Sequence, residues 1–105
     1  MGLYYLKMEK GMQLLKRKIL IEYQLKHADS RIPLNSWMNL IRLAKWKTPQ
    51  DIKNAINSVD FLSGNRVIFN IGGNKHRLVV VVVYTAETVV VNWIGTHAEY
   101  SKKQF

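Results

Sequence analysis

The chain has 105 residues, enough for one domain with a single hydrophobic core and too few for two ordinary domains. It contains no cysteine, which excludes disulfides and thiolate metal sites and favours a reducing compartment, so we expect the protein in the cytoplasm. Sixteen Lys and Arg residues against seven Asp and Glu give a net charge of +9, and such an excess attracts polyanions. Nucleic acid is therefore the predicted class of partner. The longest apolar run, from Leu78 to Tyr84, is far shorter than the ~20 residues of a membrane-spanning helix, so no membrane partner is expected.

The first half of the chain shows the apolar spacing of helices. A first helix is predicted from Arg17 to His27, and a second from about Pro33 to Lys45, where the proline suits the first turn. A third, shorter helix is predicted after the N-cap residue Thr48 and extends to about Asn57. Trp37 and Trp46 are expected in the core rather than on a ligand-binding surface.

From Arg66 onward the apolar pattern becomes that of strands. Three strands are predicted, over residues 66–71, 75–85 and 88–94. The pair Gly72-Gly73 is typical of a two-residue hairpin, and a second tight turn is expected at Ala86-Glu87. Helices followed by an antiparallel meander predict an α+β fold, with N-terminal helices packed on a small antiparallel twisted sheet.

A two-residue hairpin sets a register in which Ile68 lies opposite Arg77. Successive side chains of a strand point to opposite faces, so the apolar residues, together with His76, are predicted to face the helices. The other face is predicted to be polar. It carries Arg66, Asn70, Lys75 and Arg77.

The second turn extends this polar face. With a tight turn, Val81 lies opposite Asn92, which joins the polar face, and His97 comes alongside His76 at the end of the sheet. The result is a basic cluster that contains histidine. Six polar groups on one side of a sheet favour a functional site over an ordinary solvated surface.

The residue types of this cluster suit RNA cleavage without a metal. In that reaction the 2′-hydroxyl attacks the adjacent phosphate, and the protein supplies a base, an acid and positive charge. His97 is the candidate acid for the leaving 5′ oxygen, and Tyr100 is a candidate for orienting the substrate or sharing the proton transfer. No metal or other cofactor is predicted, because the three histidines lack closely spaced carboxylates. Three side chains are candidates for the fixed positive charge: Arg66, Lys75 and Arg77.

Two segments carry a family resemblance: residues 66–79, RVIFNIGGNKHRLV, and residues 94–100, IGTHAEY. Together with Trp37 and residues 44–52, they resemble the signature blocks of HigB-type toxins of the RelE superfamily, over about residues 12–100. The resemblance implies a RelE-like fold and cleavage of messenger RNA, in many members on the translating ribosome. It further implies inhibition of translation and growth, and neutralisation by a helix-turn-helix antitoxin, HigA, in a complex that we expect to be a higher-order oligomer.

The resemblance assigns roles by position. Six residues match the family's motif positions: Arg66, Asn70, Lys75, Arg77, His97 and Tyr100. The predicted RNA contacts are Asn70, Asn74 and Asn92. Three positions depart from the family pattern, since Asn92 stands where a basic residue is common, Ser101 where Asp is common, and His76 where Tyr or Phe is usual. Loss of a charge at Asn92 would weaken the stabilisation of phosphate charge.

Family members begin with a short strand that leads into the first helix, and residues 12–15 correspond to it. Residues 1–11 are therefore expected to be an N-terminal extension, and residues 12–105 a single toxin domain. Two other functions stay open. One is a module that uses the same basic face to bind RNA or the ribosome without cutting it, and the other is a protein-binding domain whose sheet and helices dock an antitoxin.

Overall fold

The computed structural model describes residues 11–105, which form an α+β domain, as predicted. Short 3₁₀ turns lie at Ala28–Ser30 and Tyr84–Ala86. None of the helices within this part of the chain is long and apolar enough to span a membrane. In chain order the elements are β1 (Gln13–Leu15), α1 (Arg17–Lys26), α2 (Arg31–Leu43), α3 (Pro49–Ala55), β2 (Asp60–Leu62), β3 (Arg66–Ile71), β4 (His76–Val83), β5 (Thr88–Thr96) and α4 (His97–Ser101).

The five strands form one sheet in the order β1-β5-β4-β3-β2. Strands β2 to β5 pair antiparallel, as expected, but β1 pairs with β5 in parallel, so the sheet is mixed. Three helices lie between β1 and the other strands in the chain. Because no short hairpin joins β1 to β5, the two strands can pair in parallel. The sequence prediction did not include β2 and α4, which have only three and five residues and therefore show little periodicity.

The main core lies between the sheet and helices α1 to α3. At its centre the ring of Phe69 contacts Trp37 and Trp46, at centroid distances of 5.4 and 6.1 Å. Both tryptophans are buried, which confirms the prediction that they belong to the core. Helices α1 to α3 and each long strand add fully buried apolar side chains: Leu20, Leu34, Ile41, Ile52, Val67, Leu78, Val80, Val82, Val89 and Val91.

The predicted N-cap of the third helix is confirmed. Thr48 Oγ1 accepts a hydrogen bond from the Asp51 backbone N–H at 3.2 Å, and Asp51 Oδ2 accepts one from the Thr48 N–H at 3.1 Å. This reciprocal pair is a capping box, which satisfies backbone donors that the first turn would otherwise leave open. Hydrogen bonds from the backbone of Lys47 and Thr48 hold the pKa of Asp51 below its ordinary value.

Gly11, the last residue of the predicted extension, packs against the end of α2. Its backbone N–H donates to the carbonyl oxygen of Arg42 at 3.0 Å. A Cβ atom at this position would lie 2.1 Å from that same oxygen, so a side chain larger than glycine would force the two segments apart. Residues 1–10 lie outside the described part of the chain.

The β3–β4 hairpin corrects the predicted register. Its turn spans four residues, 72–75, rather than two; both of its glycines have positive φ. Arg77 therefore lies opposite Asn70, two positions from its predicted partner. A shift of two residues leaves every side chain on its predicted face, because the side-chain period of a strand is two. Lys75 is the exception, since it lies exposed in the turn and not in the strand.

The pairing of β4 with β5 also differs from the prediction. A connection over residues 84–87 replaces the two-residue turn, and Val81 consequently lies opposite Val90 rather than Asn92. A β-bulge in the same pair of strands leaves Asn92 as an extra residue with no cross-strand partner. Asn92 is exposed at this bulge, so its predicted place in the regular register was wrong.

Candidate active site

The sheet face opposite α1 to α3, here called the open face, carries most of the predicted site. The observed pairing places Arg66, Asn70 and Arg77 together on this face. A polar row lies at one end, an apolar row with buried Ile68 and Val79 follows it, and the row at the other end carries Arg66 beside two valines. The three cross-strand rows are Asn70, Arg77 and Gly95; then Ile68, Val79 and Trp93; then Arg66, Val81 and Val90.

Arg77 lies at the centre of the first row and contacts two residues of α4. Its Nη2 donates to His97 Nε2 at 3.2 Å, and its guanidinium carbon lies 4.8 Å from the centroid of the Tyr100 ring. Because the guanidinium is a donor only, His97 Nε2 accepts and carries no proton in this contact. A permanent cation, an exposed imidazole and a phenol thus converge at one end of the open face, and these groups can bind a phosphate and move a proton beside it.

Helix α4 holds two of these groups in place. Thr96 Oγ1 accepts from the Glu99 backbone N–H at 3.1 Å, and Glu99 Oε1 accepts from the Thr96 N–H at 2.7 Å, which forms a second capping box. The backbone hydrogen bond from Thr96 is the main cause that keeps the pKa of Glu99 below its ordinary value. Helix α4 is further tied to the turn of the β3–β4 hairpin, because the His97 N–H donates to the Lys75 carbonyl at 3.0 Å.

Ser101, one of the three departures noted in the sequence, lies at the end of the same helix. Its hydroxyl donates to the carbonyl oxygen of His97 at 3.0 Å. The side chain thus bonds back to the first turn of α4. It supplies no negative charge next to His97 and Tyr100, as an aspartate would at this position.

Two buried polar atoms in the first row have no hydrogen-bond partner among residues 11–105. They are Asn70 Oδ1, an acceptor, and Arg77 Nε, a donor, and the two residues are directly opposite each other in the register. Buried polar groups are nearly always paired, and unpaired ones call for a specific explanation such as a catalytic role. Both atoms lie at the centre of the candidate site and are buried there.

The remaining predicted site residues lie around this centre. Asn74 and Lys75 are exposed in the β3–β4 turn, and Asn92 is exposed at the bulge. Arg66 lies four residues before Asn70, about 13 Å along the strand. Its guanidinium donates to the Ser63 carbonyl at 2.8 Å, so it does not form part of the Arg77 contact group.

An aromatic ladder connects the two arginines across the open face. It consists of Arg77, Tyr100, Phe105 and Arg66, in that order of contact. Tyr100 and Phe105 stack with centroids 5.3 Å apart and an angle of 22° between the rings, and the Arg66 guanidinium carbon lies 5.9 Å from the Phe105 centroid. Trp93 contacts the side of the ladder, 5.7 Å from Phe105.

The sequence prediction did not include Trp93 and Phe105. The available signal was an aromatic residue beside basic ones, as in residues 100–105, YSKKQF, a composition common in segments that bind single-stranded nucleic acid. Gly95 makes room for the ladder, because a Cβ at this position would lie 2.4 Å from the Trp93 ring.

A second polar cluster lies on the helix side of the sheet and consists of Tyr23, His27, Asp29 and His76. His76 is 3% exposed, which confirms that it faces the core. Its Nδ1 lies 2.7 Å from the Tyr23 hydroxyl and its Nε2 lies 3.1 Å from Asp29 Oδ1. His27 stacks on Tyr23 at 4.1 Å. This His76 cluster ties the start of β4 to α1, directly between Lys75 and Arg77 in the chain.

The His76 cluster has a consistent arrangement of protons. Burial, followed by the charges of Glu99 and Asp29, raises the pKa of Tyr23 to about 12, so its hydroxyl is a donor at neutral pH. When His76 Nδ1 carries no proton, Tyr23 donates to it and the Nε2–H donates to the Asp29 carboxylate. Over the described residues, no group of three or more His, Cys, Asp or Glu side chains has an arrangement that could hold a metal ion.

Residues 30–103 match the model of a protein family described as "HigB_toxin, RelE-like toxic component of a toxin-antitoxin system". The chain is 28% identical over 91 residues to the protein named mRNA interferase toxin HigB from Escherichia coli (strain K12). The matched residues are 85% of this chain and 88% of that protein. The mRNA interferase HigB of Shigella flexneri shows the same identity and coverage. A further relative, the mRNA interferase HigB of Escherichia coli O6:H1, is 27% identical over 79 residues, which are 73% of this chain and 77% of that protein.

Proposed function

Because the chain belongs to the HigB family, the RelE-like toxic components of toxin-antitoxin systems, we propose that it is an mRNA endoribonuclease with its active site at Arg77, His97 and Tyr100. Relatives that cover most of the chain carry the name mRNA interferase, which supports this activity. The observation that carries the assignment is the direct contact of Arg77 with His97 and Tyr100 at one end of the open face.

The proposed reaction starts with the binding of the scissile phosphate to Arg77. The phosphate oxygens accept hydrogen bonds from the guanidinium, including the buried Nε once the contact with His97 opens; Nε has no hydrogen-bond partner among residues 11–105. Arg77 then stabilises the charge that develops on the pentacoordinate phosphorus. This binding replaces the contact of Arg77 with His97 and leaves the imidazole free to take up a proton.

The bond changes follow from the chemistry of RNA. The 2′-hydroxyl gives its proton to a water molecule as its oxygen bonds to phosphorus, the bond from phosphorus to the 5′ oxygen breaks, and protonated His97 gives its proton to that leaving oxygen. The products end in a 2′,3′-cyclic phosphate and a 5′-hydroxyl. Tyr100 orients the nucleotide next to Arg77, with which its ring is in contact.

The outer residues of the site hold the rest of the RNA. Lys75 and Arg66 attract the flanking phosphates, and their effect depends on salt because it comes from charge. Asn70, Asn74 and Asn92 contact the RNA by hydrogen bonds. Asn92 supplies no charge, so we expect the phosphate contact at the bulge to be weaker than a basic residue would give.

The family is the toxic component of a toxin-antitoxin system, so this chain has a cognate antitoxin. We propose a HigA-like helix-turn-helix protein as this antitoxin, in a higher-order oligomeric complex. We also propose that the toxin acts in the cytoplasm on mRNA that is bound to the ribosome. The net charge of +9 suits both the ribosome and mRNA, which are polyanions.

Induction of the chain in bacterial cells tests this function. We expect growth arrest, together with new transcript ends that carry a 5′-hydroxyl. Purified chain should cut the same transcripts, and the rate with and without ribosomes shows whether the ribosome is required. Binding of RNA that depends on salt but leaves no new ends would support the non-cleaving alternative and contradict the proposed reaction.

The position of α4 gives a further prediction for activity. Thr96→Ala removes the capping box of α4 and should destabilise the protein by about 1 kcal/mol, while it also lowers cleavage several-fold because His97 and Tyr100 lose their fixed places. Thr48→Ala removes the equivalent box of α3, away from the site, and serves as the matched control. It should destabilise the protein to a similar extent and leave cleavage unchanged. Equal losses of cleavage in the two variants would show that activity follows stability and not the position of α4.

A further inference from the structure

The aromatic ladder contains one residue that belongs to no helix or strand. Phe105 lies four residues beyond the end of α4, and its side chain remains 37% exposed. Lys102 and Lys103 still donate backbone hydrogen bonds to Glu99 and Tyr100, at 3.2 and 3.0 Å. Within the described part of the chain, no hydrogen bond fixes Gln104 or Phe105. The ring contacts of Phe105 are therefore what hold it on the open face.

The surroundings of the Phe105 ring are those that proteins offer to a nucleobase. One flat neighbour, Tyr100, stacks on it at 5.3 Å, and the Arg66 guanidinium carbon lies 5.9 Å from its centroid. Unpaired bases of RNA are bound in this way, on aromatic rings and on guanidinium groups. Tyr100 also contacts Arg77, so a base stacked on Tyr100 would belong to a nucleotide next to the phosphate at the active site.

We propose that Phe105 occupies a nucleobase-binding position of this protein and that an unpaired base of the RNA substrate displaces it. The proposal rests on the proposed function, because it takes RNA as the ligand. Bound RNA stacks one base on Tyr100, with Arg66 and Trp93 beside it. The segment from Lys102 to Phe105 moves away from the face, and its two lysines remain available to the RNA backbone.

The sizes of the competing interactions permit this exchange. The buried part of the Phe105 ring favours the closed position about ten-fold, if roughly two thirds of a phenylalanine side chain is removed from water. Stacking of one base on an aromatic side chain typically strengthens binding about 5- to 150-fold. A base can therefore replace Phe105, while the closed position lowers the apparent affinity for RNA by up to about ten-fold.

This exchange also predicts the kind of RNA that binds. A base can take the place of Phe105 only if it leaves its own stack, which bases in a duplex do at a cost. Single-stranded RNA should therefore bind more tightly than a duplex of the same length. The flat face with its ladder selects for an accessible base as well as for phosphate charge.

The test measures binding of a short fluorescent single-stranded RNA by anisotropy, with His97→Ala present in every variant to prevent cleavage. Adding Phe105→Ala should lower the dissociation constant three- to ten-fold, because it removes the competing ring. Gln104→Ala, which changes an exposed neighbour in the same segment, should leave it unchanged. An oligonucleotide of the same length with abasic sites in place of its bases should bind Phe105→Ala and the parent equally.

The outcomes separate this proposal from the proposed function. If Phe105→Ala leaves the dissociation constant unchanged or raises it, Phe105 does not compete with a base and the proposal is wrong, while RNA binding itself still stands. If none of the variants binds RNA, the proposed function fails instead. Thermal unfolding of each variant confirms that a change in affinity does not come from unfolded protein.

Discussion

Replacing Arg77 with alanine is expected to slow RNA cleavage about 100- to 1,000-fold and to abolish growth arrest. This range is typical for the loss of one group that stabilises charge in the transition state. The expected loss is large because Arg77 contacts both His97 and Tyr100. It also lies at the centre of the first row, where two buried polar atoms have no hydrogen-bond partner among residues 11–105. Single-turnover cleavage of the mapped transcript measures the effect.

Arg42→Ala is the matched control for this variant. Arg42 is an exposed arginine of α2 whose side chain donates to Asn39 at 3.2 Å, away from the open face, so its loss removes one charge and no site contact. We expect no more than the small general effect of a lower net charge. If Arg77→Ala and Arg42→Ala slow cleavage equally, the assignment of Arg77 to the active site is wrong.

His97→Ala should lower cleavage by a similar or larger factor, about 100- to 10,000-fold, as expected for a group that transfers a proton. His97 is exposed at the first position of α4, where alanine is an excellent helix former, so the melting temperature should stay within a few degrees of the parent. An active His97→Ala variant would exclude this residue as the acid.

Replacing His76 with alanine is expected to destabilise the protein by about 2–4 kcal/mol and to lower its melting temperature by roughly 10 °C or more. The loss combines a cavity in the core with a Tyr23 hydroxyl left without its partner. His76→Phe restores the ring volume and should recover at least half of the stability. Equal stability of the alanine variant and the parent would contradict the role of the His76 cluster.

The same cluster gives a pH dependence at alkaline pH. Since burial raises the pKa of Tyr23 from 10.0 to about 12, the folded protein keeps a proton that the unfolded chain releases above pH 10. The stability from this tyrosine is complete below pH 10 and is lost as the pH rises through about 12. Tyr23→Phe lacks this proton, so the difference in melting temperature between it and the parent should shrink over that range. A melting-temperature difference that stays constant from pH 10 to about 12 would show that folding does not raise the pKa of Tyr23.

The sequence predicted the helices and the faces of the long strands because both depend on local periodicity. The core positions of Trp37 and Trp46 and the cap at Thr48 follow from the same short-range patterns. Turn lengths could not be predicted from these patterns, since a Gly-Gly pair permits a four-residue turn as well as a two-residue one. The prediction that Arg66, Asn70 and Arg77 share one face was still correct, because the register shift was an even number of residues.

Features that depend on contacts between distant residues could not be predicted. The bulge at Asn92 arises from the fit of two whole strands, and Phe105 lies beside Arg66, which is far from it in the sequence. The partners of His76 are 53 and 47 residues away, so the sequence indicated only that it faces the core. Local patterns thus predicted which face the polar side chains share, but not the contacts that they make there.

The central claim is that the Arg77 and His97 surface cleaves RNA through the 2′-hydroxyl of the nucleotide before the scissile phosphate. It is tested most directly with an mRNA bound to ribosomes that carries a single 2′-deoxynucleotide at the mapped cleavage position. We predict that the purified protein leaves this position uncut while it cuts the unmodified mRNA there to give a 5′-hydroxyl end. Cleavage of both mRNAs at the same rate would show that the 2′-hydroxyl is not the nucleophile.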